Sequence, residues 1–321
     1  MKITRILFVF VCILCFAVTA GAQNYPTKPV KVIIPFSEGS GTDFLGRLMA
    51  NKLSAMWGQP VEAENHPGAG GTIGANVVAK APADGYTLLE YSSAYTVSPS
   101  LHKNLPYDPM KDFIDIAPLA GQPLAVFVGT SSGLKSISEV IAKAKANPGK
   151  MKFGTPGIGS AAHLPAELFK LEADIDVVHV PFKGGKDTIA ATKSGNVTYS
   201  LLPLSLAIKG SKDGKLQILA VTSVERSEAV PDVPTLAEVG FPDINSSVWW
   251  GIWAPAGIPD SVAEKLEKDI AQALASPEVL EQLKKRNLKP MSMTSVEFKQ
   301  FVRKEMETVK NIVKKAGIEA Q

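Results

Sequence analysis

Short apolar runs recur along this chain, and each ends in a loop of glycines and hydroxyl residues that opens a helical pattern. The run 30–36 leads into Pro35-Phe36-Ser37-Glu38-Gly39-Ser40-Gly41-Thr42-Asp43. A second loop is Asn65-His66-Pro67-Gly68-Ala69-Gly70-Gly71-Thr72-Ile73-Gly74, and a third is Gly154-Thr155-Pro156-Gly157-Ile158-Gly159-Ser160. Strands alternating with helices in this way restrict the chain to an α/β fold with largely parallel sheets. In such folds ligands bind outside the carboxyl ends of the strands, where these loops lie. Loops of this kind present backbone N–H groups at helix N-termini, where anions bind. None of the three pairs a nucleophile with a base, so the chain reads first as a holder of a small anion.

The amino terminus reads as a secretory signal. Lys2 and Arg5 form a positive start, 6–18 is an apolar core too short for a stable membrane span, and Ala20-Gly21-Ala22 is a small-x-small cleavage site. The mature chain is expected to begin at Gln23 and to be periplasmic. Both cysteines, Cys12 and Cys15, fall inside the signal, and Ile13-Leu14 before Cys15 does not make a lipobox. A mature chain without cysteine excludes disulfides, thiolate metal sites and cysteine nucleophiles. The signal removes two of 34 cations and none of 31 acids, leaving a formal net charge of +1. No basic stripe with interleaved aromatics appears, which argues against a nucleic-acid partner.

Coarse periodicity predicts strands at 30–36, 61–64, 86–91, 124–128, 151–154, 176–182, 197–202 and 216–222. Helices are predicted after the first loop, with Thr42 or Asp43 as N-cap, and at 73–80, 162–171 and 187–193. Ser136-Ile137-Ser138-Glu139 and Thr294-Ser295-Val296-Glu297 are capping boxes, and Ser276-Pro277 starts a helix with proline at its first position. Asp260 or Ser261 caps another. This order predicts two α/β lobes, each a mostly parallel sheet flanked by helices. The chain crosses between them near 120–124 and 222–223.

Enzyme readings find little support. No loop closes with Gly-Lys-Ser/Thr, the dinucleotide-like match at 68–74 stands alone, and no Gly-x-Ser-x-Gly elbow exists. Ser160 and His163 could suggest a hydrolase, but His163 opens an apolar helical stretch and suits a cleft-lining or capping role. His66, His102, His163 and His179 are dispersed, with no metal-ligand spacing to one another or to an acidic cluster. No metal and no cofactor are expected. Trp249 and Trp250 could stack an aromatic acid, with a structural role beside a turn at Gly251 as the simpler reading.

A set of motifs then resembles one family. They run from Tyr25-Pro26-Thr27-Lys28-Pro29-Val30 through Pro67-Gly68-Ala69-Gly70-Gly71, Asp84-Gly85-Tyr86-Thr87-Leu88-Leu89 and Leu105-Pro106-Tyr107-Asp108-Pro109. They continue with His179-Val180-Pro181-Phe182-Lys183-Gly184 and Pro231-Asp232-Val233-Pro234-Thr235, and end at Ala254-Pro255-Ala256-Gly257. In order and extent the chain resembles the Bug family, the extracytoplasmic solute receptors of tripartite tricarboxylate transporters. The resemblance implies a two-lobed periplasmic binding protein of type II, a Venus flytrap, with lobe 1 at 23–123 and 223–321 and lobe 2 at 124–222. It implies capture of a small carboxylate (a di- or tricarboxylate or an aromatic acid), delivery to a membrane permease, a monomeric state, and no catalysis. The expected ligand residues are Ser37, Gly39, Ser40, Gly41, Thr42, Asp43, Ser92 and Ser93 on one side. Thr155, Gly159, Ser160, His163, Phe182, Lys183 and Gly184 are expected on the other. The chain departs from the family habit at Ser37-Glu38, where many relatives carry a second proline or small residue, and at Leu202, in a stretch where many relatives carry an acidic residue. Leu202 leans the expectation toward a carboxylate with an apolar body rather than an amino acid. A periplasmic hydrolase or isomerase acting on a small acid, and a sensory receptor for a two-component system, are the alternative readings.

Overall fold

The computed structural model describes residues 25–320; the signal segment and its cleavage site lie outside the described residues. Strand β1 (Val30–Ile34) is β-branched at four of its five positions and buries all but Lys31. Helix α1 (Gly41–Trp57) follows, burying Leu45, Met49 and Leu53 one turn apart. Gly58 ends it at φ 64°, a conformation glycine adopts without steric cost. The unit repeats as β2 (Val61–Asn65), α2 (Thr72–Ala79), β3 (Thr87–Ser92) and α3 (Ala94–Leu101). β1 pairs in parallel with both β2 and β3.

A 17-residue strand, β4 (Phe113–Gly129), then joins two sheets. Its first part, Phe113 to Pro123, runs antiparallel to β9 (Ser247–Pro255). Its second part, Leu124 to Gly129, pairs antiparallel with β7 (Tyr199–Pro203) and β8 (Leu216–Val221). Between these come α4 (Ile137–Ala146), β5 (Met151–Thr155), α5 (His163–Glu172), β6 (Val177–Pro181) and α6 (Gly185–Lys193). Helix α7 (Leu204–Ser211) separates β7 from β8. β5 pairs in parallel with β6 and β7. The chain ends with α8 (Asp260–Leu274), α9 (Pro277–Lys285), the short β10 (Lys289–Pro290) on β4, and α10 (Ser295–Lys315). The strand order is β2-β1-β3-β9-β4-β7-β5-β6.

The architecture is the expected two-lobed α/β fold, with sheets more mixed than expected. Strands within the βα repeats are parallel, whereas β4 and β9 bring in the antiparallel pairs because the chain reverses between sheets through them. Two further readings are corrected. Gly251 lies inside β9 rather than at a turn, and a Cβ there would come within 2.5 Å of Phe298 Cζ. The N-cap of α1 is Ser40, whose Oγ accepts the Asp43 N–H at 3.1 Å, and neither Thr42 nor Asp43 takes that place. Among the described residues no helix is long and apolar enough to cross a membrane.

Candidate ligand-binding site

The start of α1 is built from the sequence Ser37–Asp43 outward. Helix N-termini leave their first N–H groups without intrahelical partners. Ser40 Oγ takes the Asp43 N–H and the Ser40 carbonyl takes that of Phe44, which leaves Gly41 and Thr42 aimed off the helix end. Ser37, Gly39 and Gly41 are exposed and Ser40 is half-buried. The side chains of Thr42 and Asp43, expected at a ligand, are instead occupied internally. Thr42 Oγ1 accepts the Trp250 indole N–H at 3.0 Å. Asp43 accepts from Gly39 N at 2.9 Å, Arg47 Nε at 2.8 Å and Asn65 Nδ2 at 2.9 Å. Burial opposes ionisation of Asp43, but these bonds outweigh it and hold its pKa below the ordinary value. Asp43 therefore locks the loop, leaving the backbone N–H groups of Gly41 and Thr42 and the exposed Ser37 to meet an anion.

Beside it, at the carboxyl end of β3, Ser92 and Ser93 are both buried. The Ser93 N–H is taken by the Trp249 carbonyl at 2.7 Å, while its Oγ has no partner. Trp249 and Trp250 are themselves buried, so neither offers a face to an aromatic acid.

The second sheet contributes the loop between β5 and α5. Thr155 is buried and its Oγ1 lies 2.7 Å from His179 Nε2. The Phe182 N–H donates to the Thr155 carbonyl at 3.0 Å, tying the two loops together. Gly157 and Gly159, at φ 132° and 78°, allow the tight turns. Ser160 Oγ is buried with no partner. α5 and α6 have no side-chain N-cap, and the third residue of α5 is Pro165, which has no N–H. Gly184 is half-buried as the N-cap of α6, and Lys183 is exposed.

His163 is not open to a cleft as expected. It is 4% exposed, its ring stacks on His179 at 4.6 Å, and its Nδ1 takes a long contact from the Gly159 N–H at 3.4 Å. Burial lowers both imidazoles to about 4, and for His179 the neighbouring His163 and Lys170 add to this. The sequence reading of dispersed histidines missed this pair. The signal available was the one-turn spacing of His163 and Glu167; the contact with His179 depends on how β6 lies against α5. Leu202 is fully buried in an apolar cluster with Phe127, Leu204 and Ala207. It faces core, so its apolar character says nothing about a ligand.

The two sheets meet at a cavity of about 170 Å³ lined by Ser93, Thr96 and Val97 from one side and Ala161, Leu164 and Pro165 from the other. Helix α10 closes it with Phe301, Glu305 and Val309. Burial raises the Glu305 pKa, although the Trp249 indole N–H at 3.4 Å works the other way. A Cβ on Gly159 would lie 3.7 Å from Leu101 at the end of α3, so the β5–α5 loop also reaches the first sheet's helices.

Residues 45–318 match the model of the tripartite tricarboxylate transporter family receptor, TctC. The chain belongs to this receptor family. Proteins similar to it include BugT of Bordetella pertussis, 33% identical across 99% of both chains. Among solved structures, the Rhodopseudomonas palustris protein Rpa4515 with adipate matches with a TM-score of 0.85 and 30% identity, covering 92% of this chain and 100% of that one. MatC from Rhodopseudomonas palustris with bound malate matches with a TM-score of 0.80 and 30% identity, covering 90% and 100%. These likenesses run through both sheets of the TctC fold described above.

Proposed function

We propose that the chain is a periplasmic receptor that captures a small dicarboxylate between two lobes and passes it to a membrane permease, without chemical turnover. The proposed lobes are 23–123 with 223–321, and 124–222, the signal being removed after Ala22. The change of β4 partners between Pro123 and Leu124 supports the first boundary. The ligand class draws on relatives whose structures hold adipate and malate.

One observation carries the reading. Two buried hydroxyls, Ser93 Oγ from the first sheet and Ser160 Oγ from the second, have no partner, and Ser93 and Ala161 line the same cavity. A buried hydroxyl without a hydrogen bond costs about 1–3 kcal/mol, which a carboxylate oxygen would recover. Charge-assisted bonds contribute roughly 1.5–3 kcal/mol each and a helix N-terminus about 0.3–1. Four such contacts, to Gly41 N, Thr42 N, Ser93 and Ser160, supply roughly 6–12 kcal/mol before the several-kcal/mol cost of association is subtracted, against the roughly 8 kcal/mol net of micromolar binding. Ser160 Oγ makes no bond to His163, which weakens the hydrolase alternative.

Calorimetric titration with adipate and malate tests the reading. The wild type is expected to bind at least one of them with a matching rise in melting temperature. Ser160→Trp is expected to abolish binding while its melting curve stays cooperative. Unchanged affinity in that variant removes Ser160 from the site, and turnover of a bound acid by the purified protein overturns the receptor reading.

A further inference from the structure

We propose that His163, Glu167 and His179 form a binding site for a transition-metal ion of the zinc class, set into the second sheet's unit and separate from carboxylate capture. Among the described residues this is the one group of three metal-ligating side chains that gathers, each offering an atom within 4.8 Å of the others. A tetrahedral zinc with bonds of about 2.1 Å holds its donors about 3.4 Å apart, so donors within 4.8 Å of one another must close by up to about 1.4 Å. The two imidazoles, stacked at 4.6 Å and 21° apart, must also turn so that their in-plane lone pairs converge on the ion.

Regular elements hold all three residues. His163 and Glu167 sit one turn apart on α5, hence on one helix face, and His179 comes from β6. α5 is fixed by burial of Leu164, Ala166, Leu168 and Phe169. His163 and Glu167 are 4% and 8% exposed, unlike the solvated acids that gather on surfaces without an ion. One nitrogen of each ring already has a contact, His179 Nε2 with the Thr155 hydroxyl and His163 Nδ1 with the Gly159 N–H. The Thr155 contact can orient a metal-bound His179 imidazole, whereas the Gly159 N–H takes the His163 Nδ1 lone pair, so an ion binding there must displace that contact. Two imidazoles and a carboxylate suit zinc, cobalt, nickel or copper, and not calcium or magnesium, which take oxygen ligands.

Lys170 supplies the competing cation. Its ammonium lies 3.6 Å from the Glu167 carboxylate and is partly exposed on a long stem, so it can swing into solvent. The buried Tyr199 hydroxyl, also without a partner, lies within the field of Glu167.

The test uses tag-free mature protein dialysed against a chelator and titrated with Zn²⁺ by calorimetry and with Co²⁺ by visible absorption. Saturable binding of one ion per chain and a tetrahedral Co²⁺ spectrum are expected. Glu167→Gln and His179→Ala should each weaken binding more than about tenfold. Lys170→Met should tighten it, an effect that a purely structural histidine stack does not give. Should His179→Ala fail to fold, the Co²⁺ spectrum with Glu167→Gln and Lys170→Met decides. No saturable binding of either ion, or affinity unchanged in Glu167→Gln, overturns the proposal. The probe is the metal alone, so this failure leaves the carboxylate reading standing.

Discussion

Glu90 is the residue least at ease in this fold. It sits in the middle of β3, fully buried, and neither carboxyl oxygen has a hydrogen-bond partner. Burial, aided by the charge of Asp43, raises its pKa well above the ordinary 4.5. The folded state therefore binds this proton more tightly than the unfolded chain does. Its favourable contribution is complete below the ordinary carboxylate range and is lost as pH rises toward the folded value. Glu90→Gln removes the titration and keeps the shape. Relative to that variant, the wild type should lose about 1.4 kcal/mol of stability per pH unit above the ordinary range until the folded pKa is passed. Urea unfolding of both proteins from pH 5 to pH 8 measures the gap, and a gap that stays constant with pH refutes the assignment. The sequence placed Glu90 correctly in a strand but gave no sign that its carboxyl would be enclosed, because strand alternation does not say which face α1 will cover.

Among the elements, those with local signatures were legible and those defined by distant partners were not. The Thr294–Glu297 capping box announced α10, and the structure shows both of its reciprocal bonds. Ser276-Pro277 announced α9, with Pro277 at the start as expected. β9 was missed because it is buried at eight of nine positions, and its tryptophans and Gly251 read as a turn with aromatics. β4 was seen only in its second half; Pro118 and Pro123 interrupt the first, which is paired through register shifts against β9. Within the candidate site, the loops were legible as loops. The internal engagement of Thr42 by Trp250, about 200 residues away in sequence, was not. Gly251 shows how far β9 depends on a remote element, since α10 presses Phe298 against it. Gly251→Ala should cost about 1–3 kcal/mol by overpacking. Pairing it with Phe298→Leu, which frees space at that contact, should recover part of the loss, so that the two changes are non-additive. Thermal unfolding of the two single variants and the double variant checks this, and simple additivity contradicts the contact.

Across the whole molecule the two sheets are tied by more than β4. Leu164 on α5 packs with Val97 and Leu101 on α3 and with Val309 on α10, while Ile312, Val313 and Ile318 lie against the same cluster. Lys315 near the end of α10 pairs with Glu172 at the end of α5. α10 thus begins on the first sheet, where Phe298 and Val302 join the tryptophan cluster, and ends on a helix of the second. A receptor that closes around its ligand by hinge motion must make and break contacts of this type, and their strength sets the closed fraction before ligand arrives. Since apparent affinity scales with the binding-competent fraction, weakening the cluster should weaken capture, and solution scattering separates this from a direct effect of Leu164 on the cavity it lines. Leu164 is 2% exposed, and replacing it with serine removes a buried apolar contact worth about 1.5–3 kcal/mol, part of which belongs to closure. Leu164→Ser is therefore expected to lower adipate or malate affinity about three- to tenfold, and to raise the radius of gyration of the ligand-free protein in solution scattering. Saturating ligand should restore the compact value. Unchanged scattering with unchanged affinity would show that this cluster packs within one rigid body and takes no part in closure.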